Sequence, residues 1–312
     1  MIVYFWAFIV FAKNPNSKQT CLQALLVVAA ISGVVGAIEQ IFNMHPFGYH
    51  YLQGTGFLGG PMAYAGQMQI FSLLALAILL VGGYRDFAFS LKRSSIFILI
   101  VLANFLGVIF AAERNAWLGL VVGLIVMTAV ISWRTLLKCC LVLAVISVVC
   151  FMIVPVVHTR ITQLENWRQD ISVKARLQIW QESLKLWRAS PVFGIGIRHY
   201  PHFNMPEAIV PGRSKDINHA HSNYLHILST TGLIGLTAYL WLWFVVFKTS
   251  LSCYLKARET GSKIESSLAL GILASTVALL VSGIFEYNFG TAQVRLAQWF
   301  VLAMLPAATK KQ

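Results

Sequence analysis

The densest run of proton-moving side chains lies between Asn218 and Gly235, NHAHSNYLHILSTTGLIG, where His219, His221 and His226 lead into an apolar stretch. Histidine is the side chain that titrates nearest neutrality, and it also ligates metals. The pattern H-x-H-x4-H could therefore be a metal cluster. On a helix that includes both residues, however, His219 and His221 point about 200° apart, at roughly 100° per residue. Apart from Asp216, no acidic residue or cysteine lies nearby in sequence to complete a ligand set. The sequence thus predicts no metal site. His219 and His226 read as interfacial polar residues capping a membrane helix. His221 is the better candidate for chemistry, because Asn218 can act as N-cap of a helix running through Leu225, Leu228 and Gly232. A helix N-terminus disfavours imidazolium and attracts anions, so a neutral His221 could act as a base beside a bound phosphate.

Arginines are the second chemical feature. In AAERNAWLGL, Glu113 and Arg114 stand between two apolar blocks. They form either a local surface pair or a place where Arg114 faces a cavity and grips an anion with its planar, permanently charged fork. Further on, VKARLQIWQESLKLW repeats Val173, Leu177, Trp180, Leu184 and Trp187 at spacings of four, three, four and three. That is one apolar face of an amphipathic helix, with Arg176 on its border and Lys174, Lys185 and Arg188 turned away. SPVFGIGIRHYP then ends the helix at Pro191 in a Gly-bearing turn. The carboxylates on the same side, Glu39, Glu113, Glu165, Asp170, Glu182, Glu207, Asp216 and Glu286, include no pair at motif spacing. There is no Ser/His/Asp signature, P-loop or D-x-D motif. An enzyme built from these parts would lean on arginines and one histidine, which suits a substrate whose leaving group is already activated.

The elements that must position these residues belong to a membrane. The chain is 58% hydrophobic and only 11% charged, against about 25% charged in soluble domains. Apolar blocks suggest spans at roughly 2–12 (partial), 20–42, 62–82, 96–112, 116–132, 139–157, 225–247, 267–285 and 296–308. Linkers rich in Lys and Arg alternate with linkers carrying only Arg114 and Arg295, so the basic set is cytoplasmic and the long 158–224 segment is extracytoplasmic. The net charge of +13 fits this asymmetry and an anionic substrate better than nucleic acid, for which there is no basic stripe. The Gly- and aromatic-rich stretch 43–61 predicts an outer loop or re-entrant turn. The five cysteines lie in or beside apolar blocks, without metal-ligand spacing. The expected fold is all-α: one integral-membrane domain over 1–312, a polytopic transmembrane helical bundle of about 8–9 spans with one long extracytoplasmic helical loop inserted at 158–224.

With these features in place, the sequence resembles the bacterial O-antigen ligase and polymerase superfamily. HSNYLHILSTTGLIG fits its pattern H-[NSQ]-x9-G-x-x-[GTY] through His221, Ser222, Gly232 and Gly235. ERNAWLGL is similar to its arginine-bearing turn, with Glu113 where serine is commoner. ARLQIWQESLKLWRASPVFGIG resembles its R-x3-W…P-x2-G-x-G segment through Arg176, Trp180, Pro191, Gly194 and Gly196, and GTGFLGGPMAYA is a looser match to a further loop. The likeness covers about residues 50 to 290. Family members have about a dozen spans, so several N-terminal helices are expected to be lacking here. The resemblance implies a metal-independent glycosyltransferase without cofactor, in the bacterial inner membrane with its site facing the periplasm. Its donor would be an undecaprenyl-diphosphate-linked glycan and its acceptor lipid A-core, a growing glycan or a protein hydroxyl. His221 takes the catalytic position, Arg114 and Arg176 hold the diphosphate, and Asn218, His219, Ser222, Gly232, Gly235 and Trp180 support the motif. The pattern match favours ligase over polymerase. A transporter, which would show internal repeats and broken helices at mid-membrane, and a non-catalytic membrane partner are the readings of another class.

Overall fold

The computed structural model describes residues 14–44, 53–87, 93–163, 168, 170–200 and 218–305. The partial span at 2–12, most of the 43–52 stretch and the carboxylates Glu165, Glu207 and Asp216 lie outside those residues. Among the described residues every regular element is helical. We number the helices α1 (Pro15–Phe42), α2 (Pro61–Val81), α3 (Ser94–Phe110), α4 (Arg114–Ile131), α5 (Trp133–Ile153), α6 (Pro155–Thr162), α7 (Ile171–Ala189), α8 (Asn223–Glu259), α9 (Lys263–Ser282) and α10 (Ala292–Ala303). Six of them, α1, α2, α4, α5, α8 and α9, are long and apolar enough to cross a membrane, and α3 is a shorter apolar helix. The chain is thus a multi-pass, all-α membrane protein, with fewer full-length spans among its described residues than the eight or nine expected.

Local chemistry explains where the helices begin and end. Pro61 opens α2 behind Gly60, and Gly82 closes it in the left-handed region (φ 88°), its N–H returning to the Ile78 carbonyl. Ser132 caps α5 by accepting the Thr135 N–H at 3.1 Å. The span expected at 139–157 stops early because Pro155 holds Val154 extended (φ −99°, ψ 104°) and starts α6.

Helices α2 and α9 form the centre, and α9 packs against α2, α4 and α8. Gly119 and Gly123 of α4 allow a close approach to α9. A Cβ on Gly119 would strike the Ala278 carbonyl, and one on Gly123 would lie 2.9 Å from the Ala274 carbonyl. Helix α5 buries none of its residues and packs chiefly on α4 and α6. Lys263 and the Gly82 turn meet at one end of the bundle, where the Gln19 amide also donates to the Asp86 carbonyl. The α3–α4 turn, the start of α8 and the α9–α10 loop gather at the other.

Helix α8 contains a break that the sequence did not suggest, since no broken helix was expected. Gly232 adopts φ 68°, ψ −166° inside an otherwise helical run. The turn after α7 fills the gap: Ile195 and Gly196 donate to the carbonyls of Ser229 and Thr230, both at 2.9 Å, and Leu233 donates to Pro191 at 2.9 Å. Any Cβ on Gly232 would collide with the Val192 carbonyl, and one on Gly194 would collide with the Thr230–Thr231 peptide. The two glycine patterns of the sequence are therefore the two sides of one joint. Leu233–Glu259 alone reaches about 40 Å, longer than a hydrocarbon core of about 30 Å. The first piece of α8, Asn223–Thr231, thus belongs with the connecting segments at its end of the bundle.

Candidate active site

The first helical turn of α8 sets the site. Ser222, not Asn218, is the N-cap, accepting the Leu225 N–H at 3.4 Å. Asn218 is exposed. Because the helix starts at Asn223, His219 and His221 precede it and are free of helical spacing. His221 sits in the left-handed region (φ 46°), which folds its ring back on that of His219 at a centroid distance of 4.2 Å. The expected divergence of about 200° is therefore overturned by the later helix start. The His221 N–H donates to His219 Nδ1 at 3.2 Å.

Glu286, from the α9–α10 loop, completes the cluster. Its Oε2 lies 3.1 Å from His221 Nδ1, and its Oε1 accepts the Tyr287 N–H at 3.0 Å. The side chain is buried. Burial would raise its pKa, but the bond from His221 and the charges of His221, His219 and Arg176 outweigh it and hold the carboxyl below its ordinary range. An ionised Glu286 favours the His221 tautomer with its proton on Nδ1, which leaves Nε2 as the acceptor. Burial first, then the neighbouring His221 and Arg176, lower His219 to about 4, so it is neutral near pH 7.

A buried polar network pins the Glu286 loop to α8. Asn223 Nδ2 donates to Asn288 Oδ1 at 2.6 Å, and Asn223 Oδ1 accepts the Phe289 N–H at 3.0 Å. Asn288 Nδ2 donates to Ser282 at 2.9 Å, Ser282 donates to Gln69 at 3.2 Å, and Gln69 donates to the Ala116 carbonyl at 3.0 Å. Helices α8, α9, α2 and α4 are thereby joined beside the histidines, each group supporting the next where an unpaired polar atom would be costly.

The arginines come from two other elements. Arg114, the first residue of α4, pairs with Asp170 at 2.9 Å, not with Glu113. Asp170 caps α7 through the Ser172 N–H at 2.8 Å. Burial opposes its ionisation, but the bonds from Arg114 and Ser172 prevail and lower its pKa. Arg176, one turn into α7, donates to Ser172 at 3.0 Å. Arg114 Nη1 and Arg176 Nε are both buried and have no hydrogen-bond partner among the described residues. Glu113 is buried behind Ala112 (φ 53°) and accepts from Gln53 at 3.1 Å. Burial first, and Glu286 second, push its carboxyl up to about 7, against the opposing charges of Arg176 and Arg160.

Trp180 tethers α7 to the histidine segment by donating to the Ala220 carbonyl at 3.1 Å, and its ring lies 6.1 Å from Phe285. The buried face of α7 differs from the expected stripe. Ile179 and Leu186 are buried with Tyr200 and Ala220, whereas Leu177 is 43% exposed. Ser183 joins the buried face by bonding Tyr200 at 2.8 Å, and a polar residue there obscured the true period.

Arg176, Trp180, His219, His221 and Ser222 thus come together, and Arg114 is linked to them through its pair with Asp170 at the start of α7. Gly232 and Gly235 lie at the α8 joint, where Gly235 gives room to the Thr231 hydroxyl. Sequence reasoning missed the roles of Glu286, Asn223 and Asn288. Glu286 stands 65 residues after its histidine, and no local spacing marks it.

Residues 97–240, from α3 into α8, match a family model described as O-antigen ligase. The match contains all nine residues singled out above and ends before Glu286 and Asn288. No curated protein matches the chain.

Proposed function

We propose that this O-antigen ligase-like chain transfers a glycan from an undecaprenyl-diphosphate carrier to a lipid A-core hydroxyl at the periplasmic face of the inner membrane, without a metal. The observation that carries the reading is the pair of buried guanidinium N–H groups on Arg114 and Arg176 that have no hydrogen-bond partner among the described residues, together with a histidine polarised by a buried carboxylate. A diphosphate supplies the oxygens those donors lack, and an arginine fork suits them.

In this reaction the acceptor oxygen attacks the anomeric carbon while the bond from that carbon to the phosphate oxygen breaks. The diphosphate leaves with the bonding electrons. Arg114 and Arg176 are fixed before reaction and stabilise that growing charge. His221 Nε2 takes the acceptor's proton, and Glu286 stabilises the imidazolium that results. Trp180, held by its bond to the Ala220 carbonyl, offers an apolar ring face for a sugar. The break in α8 does not favour transport, because its freed backbone groups are consumed by residues 191–196 rather than offered to an ion.

The test is rescue of a ligase-deficient strain by the full chain and by His221→Ala, with lipid A-core capping read on gels and membrane levels matched. Capping by the wild type and none by the variant is expected, and added chelator leaves capping intact. Near-normal capping by His221→Ala would refute the assignment.

A further inference from the structure

The same cluster has a second property. One nitrogen each of His219 and His221 and a carboxylate oxygen of Glu286 all lie within 4.8 Å of one another. We propose that His219, His221 and Glu286 bind a divalent ion of the zinc class, and that this ion silences the transferase by holding His221. The inhibitory half rests on the reading of His221 as the base.

The donor set is the first argument. Two imidazoles and one carboxylate leave a tetrahedral ion one open position for water, a set that suits zinc better than calcium or magnesium. Zinc bonds of about 2.0–2.1 Å put tetrahedral ligand atoms roughly 3.4 Å apart. The His221–Glu286 pair is already at 3.1 Å. The widest separation must close by no more than about 1.4 Å, within reach of a rotation of the part-buried His219 ring.

Preorganisation is the second argument. Glu286 is buried, and its second oxygen is occupied by the Tyr287 N–H, so one oxygen is aimed at the cluster, as an outer-shell bond does at established metal sites. The His219 ring packs 5.6 Å from that of Tyr287. The left-handed backbone of His221 brings its ring to its neighbour. Arg176 opposes a cation here, since its charge acts on both His219 and Glu286. A diphosphate on Arg176 cancels that opposition, so the ion binds with the donor in place and does not compete with it.

Inhibition follows from imidazole chemistry. A ring bound to metal through one nitrogen carries its proton on the other and cannot accept a second. The ion therefore removes the base without disturbing either arginine.

The experiment uses the full chain purified in detergent, titrated with Zn2+ by calorimetry and with Co2+ by visible absorption, beside His219→Gln, Glu286→Gln and His221→Ala. His219→Asn serves if His219→Gln does not fold, and melting temperatures establish that each variant is folded. One Zn2+ per wild-type chain is expected, with affinity lower by about tenfold or more in each variant. In proteoliposomes the same Zn2+ range should abolish transfer by lowering kcat, with KM for the donor unchanged or reduced. No one-to-one binding by the wild type, or equal affinity in folded variants, overturns the site. If His221→Ala abolishes transfer while no Zn2+ binds, the metal site falls and the base role of His221 stands. If Zn2+ saturates the three ligands and transfer continues, the silencing falls, and the base role with it.

Discussion

Glu286→Gln is the perturbation whose outcome the geometry dictates most tightly. Glutamine keeps the shape of the side chain but carries one oxygen and one nitrogen. The Tyr287 N–H, 3.0 Å from Oε1, needs an acceptor and so takes the amide oxygen. The amide nitrogen must then face His221 Nδ1, 3.1 Å from the other position. A donor there forces the His221 proton onto Nε2, the atom that should receive the acceptor's proton. Restoring the working tautomer means breaking a buried bond, and the imidazolium also loses its counter-charge. A hydrogen bond to a charged group contributes about 1.5–3 kcal/mol, which corresponds to roughly 10- to 150-fold in rate. The comparable Asp-to-Asn change behind the histidine of serine proteases, about 10⁴-fold, sets an upper bound. The assay is single-turnover transfer in proteoliposomes at saturating donor. We expect kcat to fall in that range, with KM for the donor within about twofold, because neither arginine touches Glu286 by a hydrogen bond. A kcat within threefold of wild type, or a loss expressed wholly in KM, would refute the reasoning.

Other perturbations probe the remaining parts. Arg176→Lys keeps the charge but loses the planar fork, so KM for the diphosphate donor should rise roughly tenfold with the protein still folded, as measured in the same assay. Gly232→Ala must place a side chain at φ 68° against the Val192 carbonyl. It should destabilise the chain by at least about 2 kcal/mol, seen as a lowered Tm in detergent. Glu113 holds its proton to about pH 7 in the folded protein, whereas an unfolded glutamate releases it near pH 4.3. The unfolded chain therefore binds fewer protons between those values, and rising pH destabilises the fold through this window. Glu113→Gln should be more stable than wild type at pH 8, by no more than about 4 kcal/mol, and the difference should vanish near pH 4.5. Equal melting temperatures at both pH values would contradict the burial of an ionising Glu113.

What could be seen in advance follows from the range of the forces involved. Long apolar blocks report their own burial, so α1, α2, α4 and α9 are legible from composition alone. Arg114 and Arg176 are legible because a charge at the edge of an apolar block must answer to something. The N-cap of α8 lies four residues beyond the expected Asn218, because Asn218 and Ser222 are both good caps and only the tertiary setting chooses between them. That small shift released two histidines from helical geometry and changed the metal reading. Glu286 and the Asn223–Asn288 bond join residues 65 apart, and period or spacing carries no trace of such a pairing. The stripe on α7 misled for a different reason: Trp180 belongs to two adjacent apolar faces, and the face that packs includes a serine.

The joint at Gly232 also divides α8 into parts with different lifetimes. Amide protons of Leu233 and Ile234 are held by the Pro191 and Val192 carbonyls, and those of Ile195 and Gly196 by α8 itself. None of these four can meet solvent unless the joint parts. Hydrogen exchange at Ile195 and Gly196, distant in sequence from His221, therefore reports the opening of the helix piece that follows His221, and the four amides should exchange as one cooperative unit.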